Sequence, residues 1–484
     1  MDWYSIPEGR SGLRGLTKLV YHVCNSVNSR EILTDGVGRA AKKKCDEQQP
    51  TCQRCQNRHV ECKWEVSRKN TPTSSRASSP QPCKALQRRS VERKTELPLS
   101  VGRAINAVPL ADVGDISSSY LWDLARLSNH VLHGAYFDDG YSLLPLSMPI
   151  LSDSPAYMNM WLSLSAMRIA QQSSSDNRWL GAALRHHNKA LQALGKHLSS
   201  SKPPEDWVLC TILLLHIFEK FGSAEQPPSF AHLAVARPLF LQRYAKKPPT
   251  TIHQILQIES LIYRIAITCI FHREASAEYE AVSELIALCD TSRMDCDLWR
   301  HSLWIGLPAS LFDVVYKLSF LLRCWPLPNE WLDELDELEG RLIAHQNEKQ
   351  LVFQEQSDRD RVIAEQSYAS LQLYTSACFI LLAKLRRGKE IPVEQGVSAP
   401  GFEIIEHLTK SNFMSPVLLW AVAVIGLAAA TDLDRDIIRQ YVNGLEPYSG
   451  LRATRSVLAL LHSAWVGDGT DALFNDILLS NTFI

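Results

Sequence analysis

The chain has 484 residues, more than the roughly 100–200 of one ordinary domain, and its 45% hydrophobic and 21% charged residues with a formal charge of −1 read as a soluble globular protein with a large core. The longest apolar run, Val417 to Ala430, is shorter than the ~20 residues a membrane span needs, so a buried helix is expected there and no membrane partner. The mean charge hides its placement: residues 39–94 hold fifteen Lys or Arg against five Asp or Glu, net +10, whereas 95–484 hold 32 against 43, net −11.

In chain order, residues 1–38 keep no period and read as irregular, or as a mis-joined exon. No apolar h-region follows Met1 and no Asn-x-Ser/Thr acceptor is present, so secretion is not expected and the thiols should be reduced. Residues 39–65 contain Cys45, Cys52, Cys55 and Cys62 in the run C-x6-C-x2-C-x6-C, behind the basic stretch Arg39 to Lys44. The other eight cysteines are scattered, so only this window has spacings that could converge on one zinc ion, Zn(2+). A segment this small cannot build a core unaided, so bound metal would supply its folding free energy. Its positive charge favours a polyanion, because neutralised phosphates release condensed counterions. Residues 66–115 begin rich in Ser, Pro, Lys and Arg and read as a flexible basic linker.

Residues 116–484 carry helical periodicity almost throughout, with no run of alternating strand residues, so the fold class is mainly α: a small zinc module, a linker and a large all-α body. Leu180, Leu184, Leu191, Leu194 and Leu198 mark one stripe, and Ile258, Leu261, Ile262, Ile265 and Cys269 another. Start signals stand at Ser154-Pro155, Ser415-Pro416 and Thr431 with Asp434, and Asn443-Gly444 predicts a stop. Further amphipathic segments are expected near 117–134, 205–221, 229–244, 308–324, 328–346, 360–387 and 451–463. His186-His187 predict a packed or surface pair, since neither has a ligand-type partner at i, i+4. Trp161, Trp304, Trp420 and Trp465 are expected in the core, and the acidic run Asp333 to Glu339 as a solvated helix face or an activation surface. No nucleotide-binding, nucleophile-elbow or H-E-x-x-H pattern is present, so no enzyme is expected.

The segment RAAKKKCDEQQPTCQRCQNRHVECKW, Arg39 to Trp64, closely resembles the fungal Zn2Cys6 binuclear-cluster transcription factors. Cys45, Cys52, Cys55 and Cys62 match the third to sixth cysteines of that pattern, Pro50 its turn proline, and Arg39 to Lys44 its basic loop. The places of the first two cysteines hold Asp35 and Gly38. The family bridges its two metals through its first and fourth cysteines, and Cys52 alone cannot do that. The four thiols could instead close one all-sulfur site at Zn–S distances of ~2.3 Å, Cys24 or His59 could substitute, or the upstream exon could be wrong. A second resemblance, to the helical fungal-specific transcription-factor domain, runs from Leu143-Leu144-Pro145-Leu146 through Met160 to Ala166 and Ala182 to Leu191, and on to Leu418 to Val422 and Asp434 to Ile438.

The resemblance implies a nuclear, sequence-specific regulator that binds double-stranded DNA and reads a CGG-like triplet in the major groove, of the kind that controls biosynthetic gene clusters. Lys42 matches a base-contacting lysine, and the neighbouring contact position holds Ala41. Arg39, Lys43, Lys44, Arg54, Arg58 and Lys63 suit phosphate contacts. No sustained heptads follow the cluster, so monomeric binding, a homodimer through the body, and co-regulators docking there all stay open. The reading from a different class is a helical interaction protein that has lost DNA binding.

Overall fold

A computed structural model describes residues 150–482, apart from 152, 173–176, 201–202, 220–230, 246, 273–277, 291–306, 348–357, 390, 392, 450 and 468. The zinc module, the linker, the helix expected at 117–134 and Trp304 lie outside the described residues. Among the described residues the regular elements are all helices, in the order α1 (Pro155–Gln172), α2 (Asn177–Ser199), α3 (Asp206–Glu219), α4 (Ala231–Tyr244), α5 (Ile252–Cys269), α6 (Ala281–Asp290) and α7 (Ala309–Arg323). There follow α8 (Leu332–Gln346), α9 (Asp358–Arg387), α10 (Gln395–Lys410), α11 (Leu419–Leu427), α12 (Asp432–Ser449), α13 (Leu451–Val466) and α14 (Asp476–Ser480), with short 3-10 turns before α8, α11 and α14.

Several starts follow local chemistry. Ser154 Oγ accepts from the Tyr157 amide at 3.3 Å ahead of Pro155, which needs no amide donor at a helix start. Thr431 and Asp434 form a reciprocal capping box, each side chain accepting the other's backbone N–H at 3.1 Å. Thr251 and Gln254 make a second box at the head of α5, at a start that the sequence reading did not single out. Ser415 behaves differently. Its hydroxyl caps nothing, and the chain enters α11 through the 3-10 turn Pro416–Leu418.

Two sequence expectations need correction. Asn443-Gly444 does not stop α12, which runs on to Ser449. A Cβ at 444 would stand 3.0 Å from both Sδ and Cε of Met414, so this glycine serves close packing inside the helix. On α2, Leu180 is half exposed, and the fully buried line is Ala183, Ala190 and Leu194 with His186 and His187 beside it. Small residues on that line let α1 and α2 approach until Ser163 Oγ donates to the Ala183 carbonyl at 2.9 Å. Of the leucine stripe, Leu194 is buried and Leu184, Leu191 and Leu198 pack against the core, so Leu180 is the one member that falls outside it.

The core is continuous across the described body. In its C-terminal half, every residue of α11 is buried, with α9, α10, α12 and α13 packed around it. α9 is the long axis of this half and also meets α7 and α8. Residues 365–387 are long and apolar enough to cross a membrane, yet two-thirds of the stretch is buried in the body, as a core helix requires.

At the end of α9 sits Lys384, fully buried. Its ammonium donates to the carbonyls of Lys389 (2.7 Å) and Ile391 (2.9 Å) and to Asp471 Oδ1 (3.1 Å), so three acceptors replace its water and tie the turn after α9 to the chain before α14. Replacing Lys384 by Ala strands these acceptors, and urea unfolding should show a loss of about 3 kcal/mol. In an Asp471→Asn background the same replacement should cost measurably less, because the charge it abandons is already gone.

Candidate functional site

The residues that carry the sequence-based site, Cys45, Cys52, Cys55 and Cys62 with Arg39, Lys42, Lys43, Lys44, Arg54, Arg58 and Lys63, all lie outside the described residues. The geometry available belongs to the helical body, where buried polar groups gather in three places.

On α2, His186 and His187 are both packed. The ring of His186 meets Asn159 Oδ1 at 2.8 Å through Nδ1, and His187 stacks on Phe218 with centroids 4.5 Å apart. Close by, His232 Nδ1 lies 3.0 Å from a Glu219 carboxylate oxygen, and His216 Nδ1 lies 3.9 Å from the other oxygen. Among the described residues no group of three or more His, Cys, Asp or Glu side chains could hold a metal ion.

A second group lies where α6, α7 and α8 meet. Buried Asp313 accepts from Ser283 (2.8 Å) and from Arg341 (2.9 Å), and Lys317 joins it to Glu280 (3.4 Å) and Glu334 (3.8 Å). Asp336 and Glu339 hold Arg386 of α9 at 2.5 and 2.8 Å. The acidic run of α8 thus spends three of its five carboxylates on neighbouring helices and buries Leu335 and Leu338, leaving Asp333 and Glu337 in solvent. Trp161 and Trp420 are core residues, while Trp465 is half buried and donates to the Gly426 carbonyl at 2.8 Å.

The third group, a buried polar stripe on α5, was missed in the sequence, although the spacing of His253, Gln257, Ser260 and Arg264 places them on one face. The stripe faces α3, whose Cys210 Sγ meets Gln257 Nε2 at 2.7 Å. Burial pushes that thiol's pKa well above its usual value, which makes it an inert core thiol.

Two families match the chain. Residues 143–476 match the fungal specific transcription factor domain, which covers the helical body just described. The chain belongs to that family. Residues 39–71 match the fungal Zn(2)-Cys(6) binuclear cluster domain. No curated protein and no solved structure matches. Together the two domains make the chain a fungal zinc-cluster transcription regulator, and they imply zinc binding, DNA binding and a place in the nucleus. The body is the fungal specific transcription factor domain of that family, and many of the polar groups it buries tie helix to helix.

The donor set tests how far the cluster name fits. The matched segment holds four cysteines, Cys45, Cys52, Cys55 and Cys62, and begins four residues after Asp35 and one after Gly38. Four thiolates complete one tetrahedral zinc site, and six are needed where two zincs share sulfur. The four thiols of the matched segment are enough for one zinc and fall two short of the pair.

The buried imidazoles of the regulatory domain make its stability depend on pH. His186, His187, His253 and His272 are each depressed to about 4, in every case first by burial, which disfavours the imidazolium. The unfolded chain binds these protons near pH 6.5 and the folded chain only near 4, so unfolding takes up protons throughout that interval. Stability is therefore complete above pH 6.5 and falls as pH drops towards 4. Chemical denaturation at a series of pH values should give a slope approaching about 1.4 kcal/mol per pH unit for each such histidine, and His186→Gln should reduce it.

Proposed function

We propose that residues 39–65 bind duplex DNA with sequence preference, that residues 66–115 act as a basic linker, and that residues 116–484 serve as the regulatory body. The observation that carries this reading is four thiols, a turn proline and a run of cations in one matched 33-residue segment. Zinc would be held by Cys45, Cys52, Cys55 and Cys62, and when bound it supplies the folding free energy that so short a segment lacks. The chain's own cations then do the recognition. Lys42 reads the paired N7 and O6 acceptors of guanine in a CGG-like triplet, and Ala41 beside it supplies no second basic contact. Arg39, Lys43, Lys44, Arg54, Arg58 and Lys63 lie along phosphates and fix the register. Targets within a biosynthetic gene cluster are a further part of the proposal and rest on the resemblance alone.

A second reading is favoured by one observation, the absence of thiols at Asp35 and Gly38: a helical interaction protein whose cluster no longer binds DNA. Elemental analysis of the purified full chain separates the two readings. The DNA-binding reading expects one zinc per chain, lost on Cys55→Ser together with retention of duplex DNA. A metal-free parent that ignores DNA supports the second reading.

Lys42 and Arg58 divide the recognition. Lys42→Ala should relax preference among triplets by about tenfold while leaving much of the salt dependence. Arg58→Ala should weaken every duplex alike and reduce the salt slope by about one. A filter-binding salt titration on specific and scrambled duplexes checks both, and the division fails if the two variants lose the same property.

A further inference from the structure

The helical body repels phosphates on average, since residues 95–484 carry a net charge of −11, and α2 departs from that average. Its 23 residues include Arg178, Arg185, Lys189 and Lys196 and no Asp or Glu. The four cations are exposed and stand seven, four and seven residues apart, steps that keep them on one side of the helix. Gln192 and Ser199, also exposed, continue that side, while Ala183, His186, His187, Ala190 and Leu194 are buried on the other. The helix thus turns one face to α1 and shows water a cationic row free of carboxylates.

Elsewhere on the body several exposed cations are answered by a neighbouring acid: Lys410 by Glu406 at 2.8 Å, Arg387 by Glu394 at 2.6 Å and Arg435 by Asp432 at 3.3 Å. Among the described residues Arg185 and Lys196 meet no such carboxylate and make no hydrogen bond. One acid does approach the end of α2, where Glu205 lies 3.9 Å from the half-buried His197, off the exposed row. The excess positive charge is felt inside the helix. His186 lies beneath the row, and its pKa is depressed first by burial and then by Lys189 and Arg185.

Magnitudes decide what this row fits. An exposed ion pair with a protein carboxylate gains little, because salt screens it and two long side chains lose freedom. A duplex phosphate gains more: each one neutralised releases condensed counterions, and log Kobs then falls with log salt by about 0.9 per contact. The negative charge on the rest of the body does not cancel this, since at physiological salt exposed charges more than ~8 Å away are largely screened. Arg178 and Lys196 are eighteen residues apart, roughly 27 Å along the axis, and duplex DNA offers a phosphate every ~3.4 Å on each strand over that length. We propose that the exposed face of α2 is a non-specific contact for duplex DNA, with Arg178, Arg185, Lys189 and Lys196 lying along the phosphate backbone and reading no bases. The contact belongs to the helical body and stands whether or not the cysteine module reads a triplet.

Fluorescence anisotropy of a labelled duplex of scrambled sequence, titrated with the full chain from about 50 to 200 mM salt, tests it. Arg185→Ala combined with Lys196→Ala should reduce the salt slope by about two and, counted down from 1 M, weaken binding roughly 60-fold at 0.1 M salt. The same loss should appear in a Cys55→Ser background, where the cluster cannot close on zinc. Both side chains are exposed, so the unfolding temperature should not move. Lys410→Ala removes an exposed cation that already has a carboxylate, and should leave the slope unchanged. A double variant with its parent's slope in both backgrounds overturns the proposal, as does a Lys410→Ala variant that loses as much per charge, or a Cys55→Ser chain that ignores duplex even at the lowest salt. Binding of a poly-glutamate peptide that depends on Arg185 and Lys196 where duplex binding does not would overturn it too, by giving the row to an acidic protein.

Discussion

A helix with no polar face must be enclosed on all sides, and α11 is that helix. Burying Leu419 to Leu427 removes apolar surface from water over the whole circumference, at about 25 cal/mol per Å2, and only several helices together can cover it. α9, α10, α12 and α13 do so, and their own apolar faces are oriented by that requirement. The polar atoms at its ends are then accounted for by neighbours: Tyr263 and Tyr374 both donate to the Val417 carbonyl just before α11, and Trp465 donates to the Gly426 carbonyl near its end. Tyr374 also stacks on Trp420, with ring planes 10° apart. Gly426 is part of the same arrangement, since a Cβ there would stand 2.9 Å from a Leu461 methyl.

The N-terminal half of the described body solves a different problem. α3 and α5 carry apolar residues nearly all round but mix in polar ones, so pairing decides which polar atoms are satisfied. Asp206 takes Arg243 of α4 at 3.0 Å and Gln254 of α5 at 2.9 Å, and Arg452 of α13 donates to the Glu219 carbonyl at 2.8 Å. These contacts join helices far apart in sequence. They add little net stability where exposed, and more where buried because breaking them strands a charge. Pairing stays incomplete at Gln257 Oε1, between α3 and α5, and at Trp161 Nε1 and Tyr244 Oη.

Division of labour between cations and helices follows from charge. The positive charge is concentrated before residue 95, where a polyanion can use it, and the remainder of the chain carries a net negative charge that would repel phosphates. Among the described residues several cations of the body are committed locally, Lys317 and Arg341 to Asp313, Arg386 to Asp336 and Glu339, and Lys384 to Asp471.

The zinc-thiolate candidates were legible in the sequence because coordination demands a residue type at close spacing, and Cys45, Cys52, Cys55 and Cys62 meet that demand without knowledge of the fold. The helices were legible for a similar reason: periodicity, Ser154-Pro155 and the Thr431 and Asp434 box are local properties that persist in any tertiary context. What the sequence could not decide was which face of a helix turns inward and which polar residue meets which. Ala183 rather than Leu180 is buried on α2 because α1 comes close enough only over small side chains, and Gly444 continues α12 because Met414 lies across it. The stripe His253, Gln257, Ser260 and Arg264 acquires meaning only opposite α3, since an unmet acceptor is a property of two surfaces brought together, and no single helix contains it.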